Sequence, residues 1–146
     1  MKEETARILR YCCEEIERQR DSPLRVYNLM RAWTYAVDQA ERVKLPFINH
    51  ILMLGYLAKP THNTADYFRR CELTVGDHYP PKWDMVPRLM HDWVDAIHDY
   101  RLTPEEAYRE FQYIHPFRDG NGRVGKVLYN WLKGTLHDPN KQAYFI

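Results

Sequence analysis

The chain has 146 residues, with 21 lysines and arginines against 20 acidic residues, and a formal net charge of +1. This length fits one domain that can bury a core of its own without disulfides or a structural metal. The basic residues are spread along the chain, which argues against a nucleic-acid partner because such a protein needs a basic face.

Cysteine usage and hydropathy bear on the compartment. The three cysteines are an odd number, and a disulfide between the adjacent Cys12 and Cys13 in a helical pattern would be strained. A reduced, cytoplasmic protein is the simpler interpretation. The N-terminus is charged rather than signal-like, and the most apolar stretch, residues 47–58, is too short to span a bilayer, so we expect no membrane partner.

Helical periodicity dominates the sequence. Apolar residues at spacings of three and four predict helices around residues 8–16, 29–40, 47–55 and 86–97. Thr103, Pro104 and Glu106 form the pattern of a capping box with proline at the first helical position, which predicts a fifth helix that ends at His115. Three tryptophans at apolar helical positions are interpreted as core residues: Trp33, Trp93 and Trp131.

One short segment breaks the helical pattern. Residues 71–79 alternate apolar and polar side chains and turn at Gly76-Asp77, which predicts a short β-hairpin. Tyr79-Pro80-Pro81 cannot continue a ladder, so the hairpin has an open edge. Such an edge can bind an extended target segment by strand addition.

The segment from His115 to Arg123 combines several groups suited to phosphate chemistry. Gly120 and Gly122 around Asn121 favour a nest of backbone N–H groups, and the apolar spacing from Val124 onward places that nest at the N-terminus of a sixth helix, where phosphate binds well. Flanking side chains add charge and a base, because Asp119 suits Mg²⁺, His115 titrates near neutrality, and Arg123 and Lys126 lie on one helix face.

These residues resemble the Fic family, whose pattern is His-x-Phe-x-(Asp/Glu)-Gly-Asn-Gly-Arg-x-x-Arg. His115 to Arg123 match every fixed position, and Lys126 departs from the last one. With Phe68-Arg69 and the following segment similar to the family's flap, the resemblance covers about residues 50–135. It implies a single domain over residues 1–146, mainly α, a compact Fic-like helical bundle with a short β-hairpin flap at about residues 68–81.

The resemblance also implies a function. Fic enzymes are mostly adenylyltransferases that move AMP from Mg-ATP to a Ser, Thr or Tyr hydroxyl of a target protein. By position, His115 would be the base, Asp119 the Mg²⁺ ligand and Phe117 the core anchor of the motif. The remaining residues fall into two groups, a phosphate site of Gly120, Asn121, Gly122, Arg123 and Lys126, and a target-docking flap of Glu72, Leu73, Thr74, Val75, Gly76, Asp77 and His78.

Alternatives stay open at several points. A Doc-like protein kinase would transfer the terminal phosphate, although that branch has alanine and lysine where this chain has Gly120 and Gly122. A catalytically silent module would bind nucleotide without turnover. Lys126 could be an ordinary solvated helix cation. His91, Asp95 and His98 share a helix face and could chelate a metal, but a solvated face is the simpler account.

Regulation is predicted from an absent pattern. Self-inhibiting Fic proteins carry a (Ser/Thr)-x-x-x-Glu-(Gly/Asn) helix whose glutamate occupies the second arginine of the motif. No glutamate of this chain precedes Gly or Asn. The sequence therefore predicts that any restraint comes from a separate inhibitor chain, as in a toxin and antitoxin pair, and that the isolated protein is active.

Overall fold

The computed structural model describes residues 2–139. This part of the chain contains a 3₁₀ turn at Trp83–Met85 and six α-helices: α1 (Lys2–Arg18), α2 (Leu24–Ala40), α3 (Ile48–Ala58), α4 (Val86–His98), α5 (Pro104–Ile114) and α6 (Asn121–Lys133). The prediction of a mainly α fold is confirmed. The predicted domain limits, residues 1–146, extend beyond the described range and stay a prediction. None of these helices has the length and apolar character needed to cross a bilayer.

The core is centred on α2, which packs against α1, α3 and α6, while α5 packs against both α4 and α6. Trp33 is fully buried there, and its indole N–H donates to the Leu136 carbonyl at 2.8 Å. Trp93 and Trp131 are also buried and donate to backbone carbonyls at 2.9 and 3.0 Å. Because each N–H has a partner, burial of these rings leaves no polar group unsatisfied. The interpretation of the tryptophans as core residues is confirmed.

The capping box at the start of α5 is present as predicted. The Thr103 hydroxyl accepts from the Glu106 N–H at 3.1 Å, and the Glu106 carboxylate accepts from the Thr103 N–H at 3.0 Å. Two donors at the helix start are thereby satisfied by local sequence alone. At its other end α5 stops at His115, which adopts a left-handed conformation with φ 53° and ψ 62°.

The predicted β-hairpin is wrong in its strands. Within residues 2–139 the flap region contains a single isolated bridge, in which Val75 and His78 exchange backbone hydrogen bonds of 2.9 and 2.8 Å around the turn. Pro80 and Pro81 have no N–H to extend this ladder. Alternation of polar and apolar side chains could not by itself supply a pairing strand.

Two of the three α4 residues that could have held a metal are exposed, and the third is half-buried. His91 and Asp95 are exposed, and the His98 ring bonds to the Pro46 carbonyl at 2.9 Å. His98 thus ties α4 to the segment before α3.

Candidate active site

The loop between α5 and α6 carries the candidate base. His115 is partly buried, and its Nδ1 lies 3.3 Å from the carbonyl of Gln112, which only an Nδ1–H can engage as a donor. This tautomer leaves Nε2 as the nitrogen that can accept a proton. Burial lowers the pKa of His115, and this effect outweighs the hydrogen bond to Gln112, which raises it. The ring is therefore neutral, and able to act as a base, near pH 7.

Two residues of the motif hold the loop in place. The Asn121 side chain accepts from the Phe117 N–H and donates to the Phe117 carbonyl, both at 2.8 Å. The Phe117 ring is buried, with its centroid 5.6 Å from that of Phe68, and a Cβ on Gly55 would come within 2.1 Å of it. The Asn121 amide thus stabilises the loop, and only the backbone of this residue is left for an anion.

The two motif glycines differ in what they contribute. Gly120 has a φ of +81°, which other residues rarely adopt, whereas Gly122 lies in the first turn of α6 with helical geometry. Of the two, only Gly120 therefore uses the conformational freedom of glycine. Among residues 2–139, a Cβ on Gly122 would meet no atom beyond its own helix within 4 Å, so glycine there widens the adjacent space. The first-turn N–H groups of α6 have no carbonyl partner within the helix. They form the positive end of the helix dipole, which favours a bound anion.

A polar cavity of about 360 Å³ opens at this helix start. Motif residues and three residues from elsewhere line it: His115, Asp119, Gly120, Asn121, Gly122 and Arg123, together with Gln19, Asp21 and Lys59. The structure therefore brings together the predicted base, the predicted metal ligand and most of the predicted phosphate site around one cavity. Lys126 and the flap residues are not among its lining residues.

Asp119 lies on the cavity wall beside a buried cation. One carboxylate oxygen accepts from the Gly120 N–H at 2.8 Å, and the other lies 3.0 Å from Lys59 Nζ. Burial alone would raise the pKa of Asp119. The contacts with Lys59 and Gly120 lower it by more, so the pKa of Asp119 lies below its usual range. Asp119 is therefore an anion at neutral pH, the state that a hard cation requires.

Arg123 is buried and already paired. Its guanidinium bonds to the Asp21 carboxylate, and its Nε donates to Gln19 Oε1 at 3.0 Å. Nη1 has no hydrogen-bond partner in residues 2–139. Asp21 also lies 3.8 Å from Lys59 Nζ, so this carboxylate balances two cations of the cavity.

Lys126 is 4% exposed, which excludes the solvated helix cation. Its ammonium pairs with Glu15, which is fully buried and also accepts from Arg18 at 2.8 Å. Burial raises the pKa of Glu15, but its bonds to Arg18 and Lys126 outweigh that effect and lower it below the usual value. Lys126 is thus ion-paired with a carboxylate of this chain. The missing inhibitory pattern therefore does not mean that Lys126 lacks a carboxylate partner within this chain, and a separate inhibitor chain stays a prediction.

The flap residues form an exposed loop beside α5. Glu72, Thr74, Val75, Gly76 and Asp77 are exposed, whereas His78 is partly buried. The His78 Nε2 lies 2.9 Å from the Tyr113 carbonyl, and the two rings are 5.1 Å apart. The tip of the flap is therefore attached to the helix that ends at His115.

A sequence model of the Fic/DOC family matches residues 41–132. The chain belongs to the Fic/DOC family. Proteins named protein adenylyltransferase Fic from Drosophila willistoni and Culex quinquefasciatus are 38% and 36% identical to it over 44% of its length. The chain spans only 14% of the length of each of these relatives.

Solved structures of Fic proteins share its fold. A Fic family protein from Desulfovibrio desulfuricans G20 superposes with a TM-score of 0.67 and 22% identity, over 93% of this chain and 51% of that one. A Fic domain containing signaling protein from Bacteroides thetaiotaomicron superposes with a TM-score of 0.57 and 22% identity, over 77% of this chain and 49% of that one. The prediction of a Fic-like helical bundle is confirmed.

Four residues whose side chains contact the charged side chains of the Fic motif were not predicted from the sequence: Glu15, Gln19, Asp21 and Lys59. The family's inhibitory pattern misses Glu15 because Tyr11 and Ile16 occupy its two other defining positions. One sequence feature does indicate a buried ion pair. Glu15 lies beside the apolar positions Cys12 and Ile16 of an amphipathic helix, and a carboxylate buried there needs a cationic partner.

Proposed function

We propose that this Fic protein transfers AMP from ATP to a Ser, Thr or Tyr hydroxyl of a target protein. The observation that carries the proposal is the cavity at the start of α6, which places His115 and Asp119 around a helix N-terminus suited to phosphate. The hydroxyl oxygen attacks the α-phosphorus, the bond to the β-phosphate breaks, and pyrophosphate leaves. His115 Nε2 accepts the hydroxyl proton during the attack.

Gly120 and Gly122 favour AMP transfer over the kinase alternative. AMP transfer requires the β- and γ-phosphates to leave together, so the protein must hold a pyrophosphate rather than one phosphoryl group. Gly122 leaves open space at the helix start, where a larger side chain would fill the cradle. The silent module is disfavoured because both His115 and Asp119 are retained and line the same cavity.

Asp119 fits a role in Mg²⁺ binding. It offers one anionic carboxylate beside a phosphate-sized cavity, and Mg²⁺ takes one or two carboxylates together with substrate phosphates. The ion, when bound, would neutralise charge on the phosphate oxygens. Lys59 lies on the same carboxylate, so it must give way for the ion to bind.

Asp119→Asn is expected to remove the gain in ATP affinity that Mg²⁺ provides, because the amide has no charge to hold the ion. Calorimetric titration of ATP with and without Mg²⁺ measures this directly, without turnover. Asp66→Asn, at an exposed loop position, is the matched control and should retain the full gain. An equal Mg²⁺ enhancement in Asp119→Asn and in the unaltered protein would remove Asp119 as the ligand.

The transfer rate is expected to depend on pH through His115. Burial lowers its folded-state pKa, so the protonated, inactive ring appears only at acidic pH. We expect kcat/KM to rise with pH through one step below the ordinary histidine value of about 6.5 and to be flat around neutrality. A pH profile with the step above that value would show that His115 does not titrate as the structure implies.

We also propose that α1 restrains the enzyme in cis. Glu15 forms an ion pair with Lys126. Asp21, which lies just beyond the end of α1, forms one with Arg123. Both cations predicted to hold ATP phosphates are therefore paired with carboxylates. ATP must compete with these contacts for both cations. A separate inhibitor chain, as in a toxin and antitoxin pair, stays a prediction and would act in addition to α1.

The proposed reaction is tested with ATP labelled at the α-phosphate or at the γ-phosphate, added with the protein to a cell lysate. Label on protein from the α-phosphate and none above background from the γ-phosphate is the expected result. Transfer of the γ label alone would establish the kinase. Absence of both labels, also with the Glu15→Gln protein, would leave the binding module.

A further inference from the structure

Arg69 is a buried cation whose hydrogen bonds all go to backbone carbonyls. It is 5% exposed, and within residues 2–139 no carboxylate lies within ion-pair distance of it. A guanidinium removed from water must have its N–H groups satisfied, so these carbonyl contacts account for its position. Arg69 is therefore held by the backbone around it and in turn holds that backbone.

The carbonyls belong to two segments with different proposed roles. On the motif side, Nε donates to the His115 carbonyl at 2.7 Å and Nη2 to that of Ile114 at 3.3 Å. On the flap side, Nη1 donates to the Cys71 carbonyl at 2.9 Å and Nη2 to that of Pro81 at 2.6 Å. Cys71 and Pro81 enclose residues 72–80, so one side chain joins both ends of the flap to the candidate base.

The backbone of Arg69 strengthens the same connection, because its N–H donates to the Pro116 carbonyl at 2.9 Å. His115 itself is left-handed, with φ 53°, a conformation that a non-glycine residue keeps only when its surroundings fix it. Arg69 supplies that constraint, because it bonds to the carbonyls of Ile114, His115 and Pro116.

We infer that Arg69 is a positioning residue that fixes the flap relative to His115, so that a target segment held by the flap presents its hydroxyl to the imidazole. This inference rests on the proposed function. Arg69 does not line the phosphate cavity, so it acts on transfer and not on ATP binding. The planar fork is essential, since one lysine ammonium cannot reach carbonyls on both segments with the same geometry.

Arg69→Lys tests the inference in the Glu15→Gln background. The expected result is a loss of about 100-fold in kcat for protein labelling, the scale of a 1 Å misplacement, with unchanged ATP affinity by calorimetry. Arg31→Lys is the matched control, because Arg31 is an exposed arginine of α2, outside the flap and the motif, that lies over the Tyr27 ring at 5.8 Å; it should retain full activity. Unchanged kcat in Arg69→Lys, or ATP binding lost in proportion to kcat in a folded protein, overturns the inference.

Hydrogen exchange on the unaltered protein gives a second test, which does not depend on whether a variant folds. The Val75 and His78 amides lie in the flap bridge, and the clamp should protect them as strongly as the His115 amide, which bonds to Phe111. Exchange of the two flap amides at unprotected rates overturns the inference. If neither the Glu15→Gln protein nor its Arg31→Lys variant transfers label, the proposed function fails, and the exchange result still decides whether the flap is clamped to His115.

Discussion

His115→Ala is expected to lower AMP transfer by about 10²- to 10⁴-fold, the usual contribution of a positioned general base. ATP affinity should be unchanged. The imidazole accepts a proton in the transfer step, whereas the phosphates are held by the start of α6 and its cations. The Asn121 amide fixes the loop independently of the His115 side chain, so the cavity should survive the substitution.

Calorimetry and turnover on the same protein separate the two quantities. His98→Ala is a suitable control, because that histidine also bonds to a backbone carbonyl but lies on α4, outside the candidate site. Loss of ATP binding in His115→Ala, or transfer near the unaltered rate, would remove His115 from the role of base.

Glu15→Gln is expected to raise ATP affinity and transfer, because it removes the charge that occupies Lys126 without shortening the side chain. The gain should be about 5- to 150-fold, the range of ordinary coupling free energies between two sites. The same change should lower stability by about 3–5 kcal/mol, the cost of leaving one partner of a buried ion pair without the other. Activity and stability therefore move in opposite directions, which distinguishes restraint from a purely structural ion pair.

Glu17→Gln provides the matched control, since Glu17 is an exposed residue of the same helix and should change neither property. Thermal melting and α-phosphate labelling of both variants are the measurements. A less stable Glu15→Gln protein with no gain in ATP affinity or transfer would show that the Glu15–Lys126 pair only holds the fold. Restraint would then have to come from the predicted inhibitor chain.

The parts of the structure that depend on local sequence were predictable. Thr103 and Glu106 are three positions apart, and each side chain satisfies the backbone of the other, so the geometry of the capping box follows from helix spacing alone. The placement of His115 at the end of α5 and of the motif glycines at the start of α6 follows in the same way. The strands of the flap were predicted wrongly, because an alternating pattern does not specify a partner strand.

The long-range contacts could not be predicted. Glu15 and Lys126 are 111 residues apart, and nothing in the spacing of either residue indicates that their side chains meet. Lys59 and Asp21 meet the motif only through the packing of α3 and of the loop after α1. Arg69 stood within a segment that resembles the family's flap, but its contacts are with carbonyls, which every residue possesses and no sequence pattern marks.

The central claim, transfer of AMP to a protein hydroxyl, is tested most directly by mass spectrometry of the modified residue. A lysate treated with ATP and the Glu15→Gln protein is digested and compared with one treated with a protein that also carries His115→Ala. The account predicts peptides bearing one adenosine monophosphate on a Ser, Thr or Tyr side chain, present in the first sample and absent from the second. Peptides that gain only a phosphate, or no modification that depends on His115, would contradict it.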